Sequence, residues 1–432
     1  MTRAKQTQTW SFGIHRSTAA ATLAIVFTLA VAMTTPAQAQ TFTVLHRFTG
    51  GADGAYPGEL TITRAGNLYG AGSVGGQGDC ETGGIFGCGV VFEMINSGSS
   101  WKSVPLYSFQ GGDDGAYPSS VVFGPDGSLY GTTSQGGNCQ EYKSYGCGTV
   151  FKLTPPFAAC KTSICPWTKT LLYNFGGGND GISPVGPLVF DQDGNLYGET
   201  YHGGVYTAGL VYNLTPHNGG WTERILHTFT GGADGAFPSG GSILDQAGNL
   251  YGVAGFGGAG ANGTVFELSP SGSGWTETVL YSFLGPPSDG TDPVGGLIFD
   301  PSGNLYGTTS GGGSDDNDAG TVFMLTPTNG SWTESLLYSF TGSGGGGPYA
   351  SLNMDASGAL YGTTFNDGGA GSVFKLTPAN GGWTETNLYE FRDSTDGGHP
   401  ISNVVFDAKG NLYGTALDCG QGCLGVVWEI TP

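Results

Sequence analysis

Positive charge is scarce in this chain. Only 14 lysines and arginines stand against 34 aspartates and glutamates, a formal net charge of −20. A surface so short of cations cannot neutralise phosphates, which argues against nucleic acid and anionic membranes as partners. Histidine is scarcer still, with six in 432 residues. No His-x-His or His-Glu-x-x-His pattern occurs, so a hydrolase built on a histidine-held metal has no support. No segment shows a convincing helical period of apolar residues. Beyond residue 39 nothing resembles a membrane-spanning helix. Also missing are a Gly-x-Ser-x-Gly nucleophile elbow, a P-loop, a dinucleotide fingerprint between strand and helix, and an Asp-x-Asp-x-Asp-Gly calcium loop.

What the chain has instead is repetition. Leu-Tyr-Gly occurs seven times, with its tyrosines at Tyr69, Tyr130, Tyr197, Tyr251, Tyr306, Tyr361 and Tyr413. Self-similarity at a period of about 55 residues marks a propeller, solenoid or array. The 82 glycines recur at fixed places in each unit, where turns need positive φ, so a disordered low-complexity linker is excluded.

Each unit holds four short runs of strand character. In the fifth they are expected at Gly296–Asp300, Leu305–Thr309, Thr321–Thr326 and Trp332–Phe340, separated by glycine, proline and Asn-Gly turns. Four antiparallel strands of this length make one propeller blade. The ends supply the decisive detail. A fourth-strand signature, Thr41–Phe48, precedes the first Leu-Tyr-Gly, and the last unit stops after its third strand at Trp428–Pro432. An N-terminal strand completing the last blade closes a ring and removes the exposed edges of an open array. The expected fold is all-β: one seven-bladed β-propeller of four-stranded blades over residues 40–432. An open solenoid is the alternative and predicts no such complementarity.

Residues 1–39 are expected to be a signal peptide. Arg3, Lys5 and Arg16 form a basic leader, Ala19–Ala32 is mostly apolar, and Ala37-Gln38-Ala39 precedes Gln40 as a cleavage site. That places the mature chain outside the cell, in the periplasm or at the cell surface. All eight cysteines lie in this exported part, and local spacing suggests Cys80 with Cys88, Cys139 with Cys147, Cys160 with Cys165, and Cys419 with Cys423. A zinc site is the sharper alternative, but neither close Cys-x-x-Cys spacing nor a nearby histidine supports it.

The residues Gly303–Thr309 (Gly-Asn-Leu-Tyr-Gly-Thr-Thr), Gly320–Phe323 with Leu325-Thr326-Pro327, and Leu337–Phe340 resemble the glycine-rich tandem repeat of exported bacterial GloVer-type proteins of the choice-of-anchor group. The resemblance covers essentially the whole mature chain and implies a surface or secreted location, but no particular activity. The Phe-Asp-x-x-Gly-Asn-Leu-Tyr stretch is more loosely similar to NHL-type and gluconolactonase-type propellers, which include both binders and enzymes.

The candidate site lies on the face carrying the loops after the second and fourth strands. Six of seven fourth-strand loops carry Asp-Gly, at Asp53, Asp114, Asp180, Asp234, Asp289 and Asp396. These carboxylates would suit a cation such as Ca2+ or sugar hydroxyls, or would accept backbone N–H bonds within their own turns. Tyr56, Tyr117 and Phe237 stand beside the proline that starts the next blade, as stacking platforms or as inter-blade packing. His202 and His399 fall on the same face and His217 on the other. Glu223, Glu277, Glu334 and Glu385 follow Trp-Thr and read as a solvated edge. Together these features favour a binding module for polysaccharide or a surface protein, acting as a monomer with no required cofactor. An extracellular lactonase, lyase or glycosidase is the second reading, and a purely structural or adhesive repeat protein is the third.

Overall fold

The Leu-Tyr-Gly motif has a packing reason. Its glycine lies opposite an aromatic residue of the neighbouring strand in all seven copies, from Gly70 with Phe92 to Gly198 with Tyr212 and Gly414 with Trp428. A Cβ at Gly307 would come within 2.5 Å of the Phe323 ring, and one at Gly414 within 2.3 Å of Trp428. Removing the side chain from one strand lets the large ring of the next lie across it. Strand alternation sends the tyrosine to the other face of its sheet. There Tyr69 meets Phe123 at 5.0 Å and Trp167 at 6.4 Å, both from the following blade. Tyr130 meets Phe190 and Trp221 in the same way, as Tyr251 meets Phe299 and Trp332. The recurring Phe-Asp and Trp-Thr are thus the other half of the Leu-Tyr-Gly contact.

A computed structural model describes residues 40–98, 100–139, 142, 145–156, 166–314, 318–342, 346–365, 369–392, 395–418, 422 and 424–432. The strands assemble into antiparallel sheets that follow chain order from the axis outward. Blade three, for example, comprises Ile182–Phe190, Leu196–His202, Leu210–His217 and Gly220–Thr228. The first strands of successive blades touch at the centre, where Gly186 abuts Gly241, Gly240 abuts Gly296 and Gly295 abuts Ala350. Blade seven joins Val405–Phe406, Leu412–Ala416 and Val426–Thr431 to the N-terminal strand Thr41–Arg47. The register runs from Thr41 opposite Thr431 to Val44 opposite Trp428. The ring is closed by hydrogen bonds between the two ends of the propeller, as the phase of the repeat requires.

Two expectations shift in detail. The first strand of blade five is divided into Gly290–Pro293 and Ile298–Phe299, since Val294-Gly295-Gly296 bulges between them. Its third and fourth strands run Thr321–Thr328 and Ser331–Ser339. Disulfides join Cys80 to Cys88 and Cys139 to Cys147, which fits an extracellular setting. The expected signal peptide and the expected pairs Cys160–Cys165 and Cys419–Cys423 lie outside the described residues. No helix among the described residues is long and apolar enough to cross a membrane.

Candidate functional site

At the start of every inner strand a main-chain clasp ties one blade to the last. The N–H of the residue before the first-strand proline donates to a carbonyl of the preceding blade: Tyr56 to Leu424, Tyr117 to Cys88, Ser183 to Cys147, Phe237 to Ala208, Asp292 to Asn262, Gly347 to Ala319 and His399 to Ala370. The proline then lies against the glycine that follows that carbonyl. A Cβ at Gly89 would meet Pro118 Cδ at 2.3 Å, and one at Gly425 would meet Pro57 Cδ at 2.3 Å. The clasp holds its first residue in the left-handed region, with φ 51 at Tyr56, 58 at Tyr117, 56 at Ser183, 57 at Phe237, 54 at Asp292, 61 at Gly347 and 54 at His399. Six of these are not glycine, although this conformation is costly for bulky residues. Substituting Ser183→Gly is expected to stabilise the protein by roughly 0.5–1 kcal/mol, measured by denaturant unfolding. A destabilised variant would mean that the serine hydroxyl makes a contact worth more than the strain.

The clasps surround a central cavity of about 240 Å³ lined by residues from all seven blades. Most of the lining is small or neutral, including Ser119, Ser120, Pro187 and Val294. Tyr56 and Tyr349 stand in its wall, and Glu59 is the one acidic residue among the described lining residues. Glu59 is half-buried as a residue. Burial pushes its pKa up to about 7, although the Ser351 hydroxyl favours its ionised form. Ser351 Oγ itself accepts the Gly296 N–H at 2.9 Å, which leaves its proton for Glu59.

The Asp-Gly carboxylates are distributed around the ring and bonded within or beside their own loops. Asp53 accepts Thr49 N–H at 3.0 Å, Asp234 accepts Thr230 N–H at 2.8 Å, and Asp289 accepts Leu284 N–H at 2.7 Å and Tyr281 O–H at 2.8 Å. Asp180 accepts Gly176 N–H and Tyr173 O–H, and Asp396 accepts Tyr389 O–H. Asp114 accepts Gln110 N–H and pairs with Lys169 at 2.8 Å. No group of three or more metal-ligating side chains occurs among the described residues.

Nor do the three aromatic candidates share one platform. Tyr56 lines the cavity, while Tyr117 lines a separate depression beside Cys80 and Tyr145 and accepts a bond from Thr82 Oγ1. Phe237 belongs to an aromatic group with Tyr201, His202 and Phe256. His399 stands 5.0 Å from Phe365, with its Nδ1 3.1 Å from Asp418, and His217 Nε2 lies 2.7 Å from Asn218 Nδ2.

Besides Glu59, one feature escaped the reading of the sequence and another is corrected by the structure. Glu199 replaces the threonine that follows Leu-Tyr-Gly in most units, and its fully buried carboxyl accepts the Ser242 hydroxyl of the next blade at 2.5 Å. Its Oε2 has no hydrogen-bond partner among the described residues, and burial raises its pKa to about 8. Second, Glu223, Glu277 and Glu334 are half-buried between blades rather than lying along a solvated edge. Burial, then repulsion from Asp180, Asp234 and Asp289 respectively, raises each pKa to about 7. Lys169 occupies the same strand position in blade two and there forms the salt bridge to Asp114. In both cases the available signal was departure from, or variation within, the repeat.

Fold and site together define a closed seven-bladed propeller with an asymmetric cavity on its axis. Residues 12–164, 138–369 and 276–432 match the Gloeobacter/Verrucomicrobia repeat, and the chain belongs to that family. No curated protein matches it. Several solved structures are similar in fold. A Bacteroides fragilis protein described as a 6-phosphogluconolactonase is 16% identical with a TM-score of 0.50, over 79% of this chain and 86% of that one. A Dyadobacter fermentans protein of unknown function is 12% identical with a TM-score of 0.45, over 91% of this chain and 100% of that one. A Thermus thermophilus protein described as an oxidoreductase (glucose dehydrogenase) is 14% identical with a TM-score of 0.45, again over 91% and 100%. At such identities the likeness concerns the fold alone.

Proposed function

We propose that this propeller is a binding module that takes the end or branch of a polysaccharide into its central cavity. The observation that carries the reading is Glu59, the one carboxyl among the described residues that line the central cavity, whose other lining groups are neutral. Repeated scaffold residues recur in every blade, whereas a site for one ligand needs asymmetry. With a pKa near 7, Glu59 exists at neutral pH as both donor and acceptor, which suits sugar hydroxyls. Tyr56 and Tyr349 offer flat apolar faces with a polar tip. The volume of about 240 Å³ falls below the roughly 300–1,000 Å³ of most small-molecule pockets. That favours the tip of a chain over a bulky cofactor. The acidic chain favours neutral over anionic polymers.

Retention of the mature protein on a panel of neutral polysaccharides, with and without chelator, is the test. Saturable retention on one polymer is expected, unchanged by chelator because the Asp-Gly carboxylates already serve their loops. Glu59→Ala is expected to weaken it about tenfold or more, equivalent to about 1.4 kcal/mol. Retention unaffected by Glu59→Ala would remove the cavity from the site.

The raised pKa of Glu59 also favours a second reading, a lyase or lactonase using it as proton donor. Glycoside hydrolysis by two carboxyls lacks its partner among the described lining residues. Turnover of the retained polymer that disappears in Glu59→Gln, while binding persists, would select the enzyme.

A further inference from the structure

We propose a second carbohydrate subsite on the same face, on blades three to five, where an aromatic group beside Asp292 takes the apolar face of a pyranose in a neutral polysaccharide chain. The proposal rests on the carbohydrate reading of the central cavity and extends it along the polymer. The Tyr201 and Phe237 rings are stacked, with centroids 5.2 Å apart and planes 24° from parallel. His202 and Phe256 meet Phe237 edge-on at 5.3 Å and 5.8 Å, framing it from two sides. Phe256 remains 46% exposed, and Tyr206, in the loop that follows His202, is 58% exposed. A folded protein gains nothing internally from leaving such rings in water, so a grouped set is the mark of an interaction surface.

The occupant is indicated by what surrounds the rings. Asp292 holds the next clasp position after Phe237 and is half-buried. Its Oδ2 accepts the Ser310 hydroxyl at 3.1 Å, and Oδ1 lies over Gly255, where a Cβ would approach it to 2.7 Å. Burial, and then the nearby Asp292 charge, raise the Tyr201 pKa. An aromatic face with a fixed carboxylate beside it matches a sugar ring, which has one apolar face and a rim of hydroxyl donors. No lysine or arginine belongs to the group, and the chain carries a net charge of −20, so anionic polymers are disfavoured. Phe237 and Tyr56 hold equivalent clasp positions around one mouth, which places the subsite and cavity within one extended ligand's path.

The experiment is affinity against oligosaccharide length, using short and long members of one neutral glucan series and polygalacturonate as the anionic control. Phe237→Ser is the main variant, because Ser183 already occupies this clasp position in blade three at nearly the same φ. Phe256→Ser and Asp292→Asn are the second and third variants. Affinity is expected to rise with chain length in the parent protein. Each variant should lower affinity for long chains at least fivefold and leave short chains unchanged, with no binding of polygalacturonate. Equal affinity of parent and variants for long chains overturns the subsite while leaving the cavity reading intact. Failure of every glucan to bind overturns both. A change in sedimentation with Phe256→Ser but none in affinity would assign the rings to a second copy of the chain instead.

Discussion

Deleting Thr41–Arg47 is expected to abolish the cooperative fold. That strand supplies the outer edge of blade seven, in register with Val426–Thr431. Its Phe42 stacks on Tyr389 at 3.6 Å and also contacts Phe391 and Trp428. Val44 packs against the cluster containing Trp428 and Ile430. Without the strand, Val426–Thr431 becomes a free edge and the fully buried Trp428 loses much of its cover. Loss of a large buried contact of this kind costs about 3–5 kcal/mol, against a total stability of about 5–15 kcal/mol. The ladder hydrogen bonds are lost as well. Near-ultraviolet circular dichroism and thermal unfolding should show no sharp transition, and the soluble yield should fall. Re-attaching the same residues after Pro432 through a flexible linker should restore the transition. A deletion variant that unfolds cooperatively near the parental temperature would show that six intact blades suffice.

Stability is expected to fall as pH rises from about 5 to about 9, the reverse of what paired carboxylates produce. Glu59, Glu223, Glu277 and Glu334 are raised to about 7 and Glu199 to about 8, against an ordinary value of 4.5. Between those values the folded state binds more protons than the unfolded chain. Their contribution is therefore fully present below about pH 4.5 and is lost as pH rises through about 7–8. His46 and His227 act in the opposite sense, because burial lowers both. Folding disfavours their protonation, so their effect is lost stability as pH falls below about 6.5. Two histidines against five carboxyls leave the decline toward alkaline pH dominant.

Two variants test the cause of that decline. Glu199→Gln should be more stable than the parent at about pH 9, by on the order of 5 kcal/mol and with a correspondingly higher unfolding temperature, and differ little at about pH 5. Glu277→Lys should do the same with a smaller effect, reproducing at Asp234 the bridge that Lys169 makes with Asp114. A parent whose unfolding temperature is flat between these pH values would refute the account of the buried carboxyls.

Much of the fold was legible in the chain because a repeated unit reports its own backbone seven times over. The ring closure followed from phase alone: Thr41–Phe48 at one end and a three-strand remainder at the other. The glycine of Leu-Tyr-Gly and the aromatic of Gly-Thr-Val-Phe were visible as motifs, although their contact across strands was not. Less of the site was legible. Glu277 faces Asp234 only because the outer strand of one blade runs beside the loop of the blade before it, and spacing along the chain does not carry that distance. Glu59 and Glu199 were hidden for another reason. A consensus reading weighs what recurs, and both residues are informative because nothing in the other blades repeats them. The Asp-Gly loops show the converse, since their recurrence goes with bonds to their own turns.

The inter-blade clasp is made of an amide proton, a carbonyl oxygen, a proline ring and a missing Cβ. None of these belongs to the side chain of the residue that holds the clasp. Tyrosine, serine, phenylalanine, aspartate, glycine and histidine all occupy that slot with the same backbone. Ligand preference can therefore drift one blade at a time, by single substitutions, while the hinges between blades stay untouched. A duplicated blade arrives with its slot already formed, so in this architecture lengthening the array and inventing a new contact are separable events in its history.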